Sequence, residues 1–337
     1  MSKPRVLRNV MEQHWHDLFD AETQAAMARD FDLVTPAQTT KLDPAEITRL
    51  LADCEGMITC WGSVPLTPER LAAAPKLRAV AHGAGTVKGM IDPAAWQRGV
   101  VVCSMAPVLA IAVAEMTMAL IFDGLRLTSR LDRQLRRANG DFSKFPRDYS
   151  LFGRLVEANV GIVSASLVGK EAIKLLTPFR PKLRIYDPFL SDAGAKALGA
   201  ERVELDELFR KSEIVSVHTP LLPATINLIT GKHLALMPEK AVLVNTSRGP
   251  IINHADLLAE LKKGRIHAGL DVTDPEPLPP DSPFYQLENV TLTPHVAGAN
   301  RAMRKEQGRQ SWLNLKAALE GSPAPYAVSF ERLATLA

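Results

Sequence analysis

The stretch Val160-Gly161-Ile162-Val163-Ser164-Ala165-Ser166-Leu167-Val168-Gly169-Lys170, followed by the run ending Ile185-Tyr186-Asp187, decides how this chain is read. A short apolar run passes through a turn of small residues into a helical stretch (171–176), then into a second apolar run closed by an acid. Strand, turn, helix, strand, acid is the layout of a dinucleotide-binding unit. Small residues let the backbone approach a pyrophosphate. The free amides at a helix start, here those of Ser166, Leu167 and Val168, favour negative charge. Asp187 falls where a carboxylate accepts bonds from ribose hydroxyls. No arginine follows it in Pro188-Phe189-Leu190, so a 2′-phosphate would meet repulsion and no cation, which favours NAD over NADP. The turn departs from the standard glycine pattern. Ser164 and Ser166 stand where the first two glycines fall, and only Gly169 is kept. Each serine brings a Cβ to a crowded turn, and each hydroxyl is a donor for a phosphate oxygen. A plain strand-to-helix turn fits the same segment. A serine-hydrolase elbow does not, because neither serine has glycines two residues before and after it.

Outward from this segment, apolar runs alternate with helical stretches along the chain. The earlier runs are 32–34, 57–60, 77–81 and 100–103; the later ones are 160–163, 183–186, 214–217, 241–244, 268–270 and 290–292. Segments such as 44–52 and 68–73 read as helices between them. The alternation predicts parallel sheets with helices on both faces. Ten runs crowd a single sheet, and 337 residues suit about two domains. A long helical pattern, 110–137, begins apolar and turns basic at Arg126, Arg130, Arg133, Arg136 and Arg137, and it is expected to link the two lobes. Its arginines read as a solvated face or a dimer contact. A polar stretch with scattered aromatics follows at 139–149, and a final helix, 301–319, is expected to return to the first lobe.

Composition narrows the class. Hydrophobic residues make up 46% and charged residues 23%, which excludes a disordered chain, a collagen repeat and a disulfide scaffold. The net charge of +3 suits small anionic ligands. No basic block is interleaved with aromatics, which are only 6%, so no nucleic-acid partner is expected. Cys54, Cys60 and Cys103 read as reduced thiols, and Met-Ser-Lys-Pro-Arg at the start has no apolar run behind it, so a cytoplasmic protein is expected. The apolar run 110–122 is interrupted by Glu115 and falls short of the roughly 20 residues of a membrane span, so it reads as a buried helix and no membrane association is expected. His14 and His16 have no ligand cluster around them, and no metal is expected.

Three later runs each lead into a polar group. One passes into Asn245-Thr246-Ser247-Arg248-Gly249, the next into Asp271-Val272-Thr273-Asp274-Pro275-Glu276, and the last into Thr293-Pro294-His295. In an open α/β sheet ligands bind outside the carboxyl ends of strands, so Arg248, Glu276 and His295 are candidates for one cleft. Together they suit hydride transfer at a 2-oxo or 2-hydroxy acid. An imidazole at His295 exchanges the hydroxyl proton. A carboxylate at Glu276 holds the ring and favours its charged form. A guanidinium at Arg248 grips the substrate carboxylate and polarises the carbonyl. Taken singly, Arg248 also reads as a surface salt-bridge partner, Glu276 as a solvated loop acid and His295 as a satisfied loop histidine. The other seven histidines carry no functional expectation.

On these residues the chain resembles the D-isomer-specific 2-hydroxyacid dehydrogenases, a group that includes phosphoglycerate dehydrogenase and glyoxylate reductase. The resemblance is strongest in Val244-Asn245-Thr246-Ser247-Arg248-Gly249, Gly269-Leu270-Asp271-Val272 with Glu276-Pro277, and Thr293-Pro294-His295-Val296-Ala297-Gly298. It implies two Rossmann-like domains with parallel sheets: an NAD-binding domain (106–298) inserted in a flavodoxin-like substrate domain (1–105 and 299–337). It implies catalysis by Arg248, Glu276 and His295, with Asp187 at the adenosine ribose and Asp271 at the nicotinamide carboxamide. Thr219, Pro220, Thr246 and Gly298 would lie along the cofactor, as would His295. The loop His82-Gly83-Ala84-Gly85-Thr86 resembles the family's carboxylate-binding loop, which makes Ala84 and Gly85 substrate-binding candidates. A homodimer and a small 2-oxo acid substrate are also implied. Lys88, Trp61 and Trp96 are candidates for shaping the pocket. The chain departs from the family after Gly85, where Thr86-Val87-Lys88-Gly89-Met90-Ile91-Asp92 is two residues longer than usual, and at Ser104-Met105-Ala106-Pro107, where the family has Asn-x-Pro-Gly. A dehydrogenase-like NAD(H)-sensing or corepressor-type binding protein is the alternative, and a formate dehydrogenase is disfavoured by the acid at Glu276.

Overall fold

The structure is a computed structural model that describes residues 3–145 and 149–333. Of the polar stretch 139–149, residues 146–148 lie outside the described residues. The chain divides into two compact units, Met1–Leu109 with Ala299–Ala337, and Ala110–Gly298.

The first unit is built on a parallel sheet of β1 (Arg5–Asn9), β2 (Asp32–Val34), β3 (Gly56–Thr59), β4 (Ala79–His82) and β5 (Val101–Ser104), in the order β2-β1-β3-β4-β5. This is the flavodoxin-like order. β3 and β4 are buried at every position, as strands covered on both faces must be. The helix Arg301–Leu319 packs against this sheet, with Leu315 and Leu319 in one core cluster with Val6, Ile58, Ala79 and Ala81.

The second unit holds β6 (Asn159–Val163), β7 (Lys182–Tyr186), β8 (Ala200–Arg202), β9 (Ile214–Val217), β10 (Val242–Asn245), β11 (His267–Leu270) and β12 (Val290–Leu292), all parallel, in the order β12-β11-β10-β9-β6-β7-β8. The order reverses between β6 and β9. The carboxyl ends of these two strands therefore form the crevice where a doubly wound sheet takes its ligand.

Two strands escape the sequence reading, and one helix is divided. β1 carries Arg5, Arg8 and Asn9, which break its apolar run, yet Arg8 is buried, lying 4.3 Å over the Trp15 ring and 2.7 Å from Glu12. β8 is a three-residue edge strand with Glu201 and Arg202 exposed, too short to register as an apolar run. The expected helix 110–137 is instead two helices, Ala106–Arg126 and Thr128–Arg137. They part at Leu127, which adopts a φ of +55°. Asp123 sits at the break and accepts the Ser129 amide at 2.7 Å and the Thr128 hydroxyl, so its carboxylate starts the second helix. The basic helix buries none of its residues, in keeping with a solvated face, and at its surface Arg137 pairs with Glu288 at 2.7 Å while Gln134 donates to the same carboxylate at 2.6 Å.

The helix Ala106–Arg126 has the length and hydropathy of a membrane span. Its Met118, Leu120, Ile121 and Leu125 nevertheless belong to a core cluster with Val160, Ile162, Val242 and Val244 of the second sheet. Cys54, Cys60 and Cys103 are free and buried, and burial pushes the Cys60 thiol up to about 12.

Candidate active site

The turn after β6 is held from two sides. Ser166 caps the helix Leu167–Leu176, its hydroxyl oxygen accepting the Gly169 amide at 3.2 Å. Ser164 adopts a φ of +82°, a region that favours glycine. Asp187, just past β7, ties this turn down: its Oδ2 accepts the Ala165 amide at 2.8 Å and the Ser164 hydroxyl at 3.2 Å, and its Oδ1 accepts the Phe189 amide at 2.9 Å. The serine hydroxyl thus anchors a conformation that a glycine would adopt without help. Gly169 is irreplaceable, since a Cβ there would lie 2.2 Å from the Ser164 carbonyl oxygen. Across the crevice, the His218 amide and the Thr219 hydroxyl both donate to the Val163 carbonyl, at 2.9 and 3.3 Å. Pro220 follows directly. A small-residue turn, a capped helix start and an acid at the next strand end fit a dinucleotide.

The ends of β10, β11 and β12 supply the reactive groups. Past β10, the Asn245 side chain accepts from the Ser247 amide at 3.0 Å and donates to the Arg248 carbonyl at 3.0 Å, which fixes the turn that presents Arg248. Burial pushes the Arg248 guanidinium below its ordinary range, while the nearby Glu276 charge opposes the shift. Thr246 is buried, its hydroxyl 2.8 Å from that of Thr117. Past β11, Asp271 is 2% exposed and accepts three bonds from the next strand's loop: Thr293 hydroxyl at 2.6 Å, Val296 amide at 2.9 Å and Ala297 amide at 2.9 Å. The His295 amide donates to the Asp271 carbonyl at 2.9 Å, and His295 itself takes a φ of +52°. In that conformation His295 Nδ1 is hydrogen-bonded to Glu276 Oε1. Gly298 closes the same loop.

The sequence-predicted trio therefore comes together in part through direct contact, Glu276 with His295, and in part through charge, Glu276 with Arg248. A ring bonded to a carboxylate at Nδ1 keeps Nε2 for another partner. That arrangement can move a proton to and from an oxygen, with a guanidinium alongside for an anion.

Within the first unit, the loop after β4 is braced through its carbonyls. Gly83 O accepts from Gln307 at 3.0 Å, Ala84 O from the Met105 amide at 3.1 Å, and Gly85 O from the Ser104 hydroxyl. The Ala84 and Gly85 amides donate to no acceptor among the described residues. Ser104 thus braces the loop at the position where the sequence departs from the family pattern. In the same unit Arg304 stacks over Trp61, its guanidinium carbon 4.0 Å from the ring centroid. Among the described residues no His, Cys, Asp and Glu side chains gather as a metal site.

Residues 118–297 match the family model described as D-isomer specific 2-hydroxyacid dehydrogenase, NAD binding domain. The chain belongs to the D-isomer specific 2-hydroxyacid dehydrogenases. This dehydrogenase is 33% identical over 289 residues to a glyoxylate reductase of Korarchaeum cryptofilum, covering 85% of this chain and 86% of that one. It is 34% identical over 291 residues to a glyoxylate reductase of Thermofilum pendens, covering 86% and 85%. Its structure is similar to apo D-mandelate dehydrogenase of Rhodotorula graminis, with a TM-score of 0.82, 28% identity, and 97% and 98% of the two chains covered. It is an NAD-dependent 2-hydroxyacid dehydrogenase.

Two features of this site are not legible in the sequence. The resemblance points Asp271 to the nicotinamide carboxamide alone, and nothing in the sequence signals its hold on the His295 loop. His254 carries no expected role, yet it contacts the loop that carries Glu276. Neither residue stands at a spacing that would betray these contacts.

Proposed function

We propose that this enzyme interconverts a small 2-oxo acid and its D-2-hydroxy acid, with Arg248, Glu276 and His295 at the reacting centre. Bound NADH supplies the hydride. His295 gives the carbonyl oxygen its proton from Nε2 and takes it back in the reverse direction. Glu276 fixes the ring's orientation through Nδ1 and favours the imidazolium. Arg248 holds the substrate carboxylate and polarises the C2 carbonyl. Ala84 and Gly85, whose amides meet no acceptor among the described residues, are assigned to the substrate carboxylate. The amides of Ser166, Leu167 and Val168 take the pyrophosphate, Asp187 the ribose hydroxyls and Asp271 the carboxamide, with Thr219, Pro220, Thr246 and Gly298 along the cofactor. In this reading residues 106–298 form the NAD-binding domain, and residues 1–105 with 299–337 form the domain that carries substrate contacts. The free thiols of Cys54, Cys60 and Cys103 support a cytoplasmic location, and the family resemblance supports a homodimer.

The observation that carries the proposal is the hydrogen bond between His295 Nδ1 and Glu276 Oε1. It also disfavours an NAD(H)-sensing binding protein, which has no use for an oriented proton donor. The test is to mix the protein with NADH and a panel of 2-oxo acids and follow NADH absorbance. Consumption with at least one acid, yielding the D-hydroxy acid, is expected. NADH binding without consumption on any acid would favour the sensing protein.

A further inference from the structure

Glu276 sits in the loop after β11, at 271–276, and 41% of its side-chain surface is open to solvent. A carboxylate so exposed needs its loop held if it is to keep one position against His295. The hold comes from the neighbouring turn. His254 opens the helix His254–Lys262, and its ring bridges two backbones. Its Nε2 accepts the Asp274 amide at 3.0 Å, and its Nδ1 lies 3.1 Å from the Ile252 carbonyl oxygen. An amide can only donate, so Nε2 is the acceptor and the proton lies on Nδ1, where it meets the carbonyl. Both ring nitrogens are thus satisfied by a neutral imidazole. Burial lowers the ring's pKa from its ordinary value, the Ile252 bond and the Asp274 charge opposing. The Phe284 ring lies beside it, tilted by 51°, with the two ring centroids 5.6 Å apart.

The same turn touches the loop again at Gly249, directly after Arg248. A Cβ at Gly249 would lie 1.9 Å from the Thr273 carbonyl oxygen, so the two backbones are in contact with no room for a side chain. Thr273 in turn bonds forward, its hydroxyl donating to Pro275 O at 2.9 Å and its amide reaching Glu276 Oε2 at 3.4 Å. The path from His254 to Glu276 is therefore short: one hydrogen bond from the ring to the Asp274 amide, then the two peptide bonds through Pro275.

We propose that His254 is a positioning residue of this dehydrogenase, pinning the Asp274 backbone so that Glu276 stays aimed at His295 Nδ1. It touches neither substrate nor cofactor, and acts through Glu276 alone. The proposal rests on the reading of Glu276 and His295 given above.

The experiment is a double-mutant cycle on the full chain with NADH and the best 2-oxo acid of the panel. His254→Leu is expected to lower kcat about tenfold to a hundredfold, with the NADH Kd unchanged. His254→Gln, whose amide oxygen can still accept from Asp274, should recover most of that loss. In a Glu276→Gln background the His254→Leu change should cost little more, because the residue it serves is already gone. A loss of equal size in both backgrounds, or an equal loss in His254→Gln, would overturn the proposal. Hydrogen exchange at the Asp274 amide supplies a readout independent of turnover. It should be protected in the unaltered protein and in His254→Gln, and exposed in His254→Leu. An Asp274 amide equally protected in His254→Leu would also overturn the proposal, whereas failure of every 2-oxo acid would sink only the proposed function and leave the exchange result to decide.

Discussion

His295 and Asp271 meet through the main chain, the His295 amide donating to the Asp271 carbonyl oxygen at 2.9 Å. The same aspartate's side chain accepts from three further groups of the His295 loop. Asp271 is therefore the buried post around which the loop winds, and the left-handed backbone at His295 is one consequence of that winding.

Replacing Asp271 with Asn turns one acceptor oxygen into an amino group that faces a backbone N–H, that of Ala297 or of Val296. Such a mismatch in a buried site costs about 1–3 kcal/mol, more when the lost acceptor is charged. Asp271→Asn should therefore lower the urea midpoint of the enzyme and reduce kcat together. An unchanged midpoint with only a weaker NADH Kd would mean that the carboxylate serves the cofactor and not the loop.

Gly169→Ala places a methyl group 2.2 Å from the Ser164 carbonyl oxygen. The backbone of the phosphate turn must move to admit it. The NADH Kd is expected to rise by about tenfold or more, equivalent to about 1.4 kcal/mol, measured by quenching of protein fluorescence. A Gly169→Ala variant that binds NADH as well as the unaltered enzyme would show that the turn does not carry the pyrophosphate.

Two buried histidines make stability depend on pH. Burial lowers His218 to about 3 and His82 to about 4, both from 6.5. Each therefore stays neutral in the folded chain at pH values where the unfolded chain takes up a proton. Their contribution is fully present above about pH 6.5 and is lost as pH falls from there toward the folded values, on the order of 1 kcal/mol per pH unit for each histidine. Urea midpoints should drop between about pH 7 and about pH 5, and His218→Gln should make that drop shallower. An equal slope in the variant would rule out His218 as a contributor.

Most of this architecture is legible in the sequence because parallel strands buried on both faces are short apolar runs. The runs ending at Val163, Val217 and Leu292 coincide with observed strand ends. β1 is not legible because Arg8 and Asn9 are polar residues that the fold buries with specific partners, Trp15 and Glu12 for the first and Val64 for the second. Nothing local announces those partners. The break at Leu127 is hidden because it depends on a side chain, Asp123, that looks like one more helix residue until its carboxylate caps the next helix. Arg248, Glu276 and His295 stand out because chemistry placed at strand ends is a local pattern. Asp271 around the His295 loop and His254 against Asp274 are contacts between separate loops, which only the folded chain brings together.

The reacting centre is tested most directly by His295→Ala, assayed for single-turnover oxidation of bound NADH by the preferred 2-oxo acid alongside NADH binding. Loss of the proton donor should slow the chemical step by about 10²–10⁴-fold, while the NADH Kd stays within about twofold, since a twofold change is well under 1 kcal/mol. Oxidation at the unaltered rate would contradict the assignment of His295 as the proton donor.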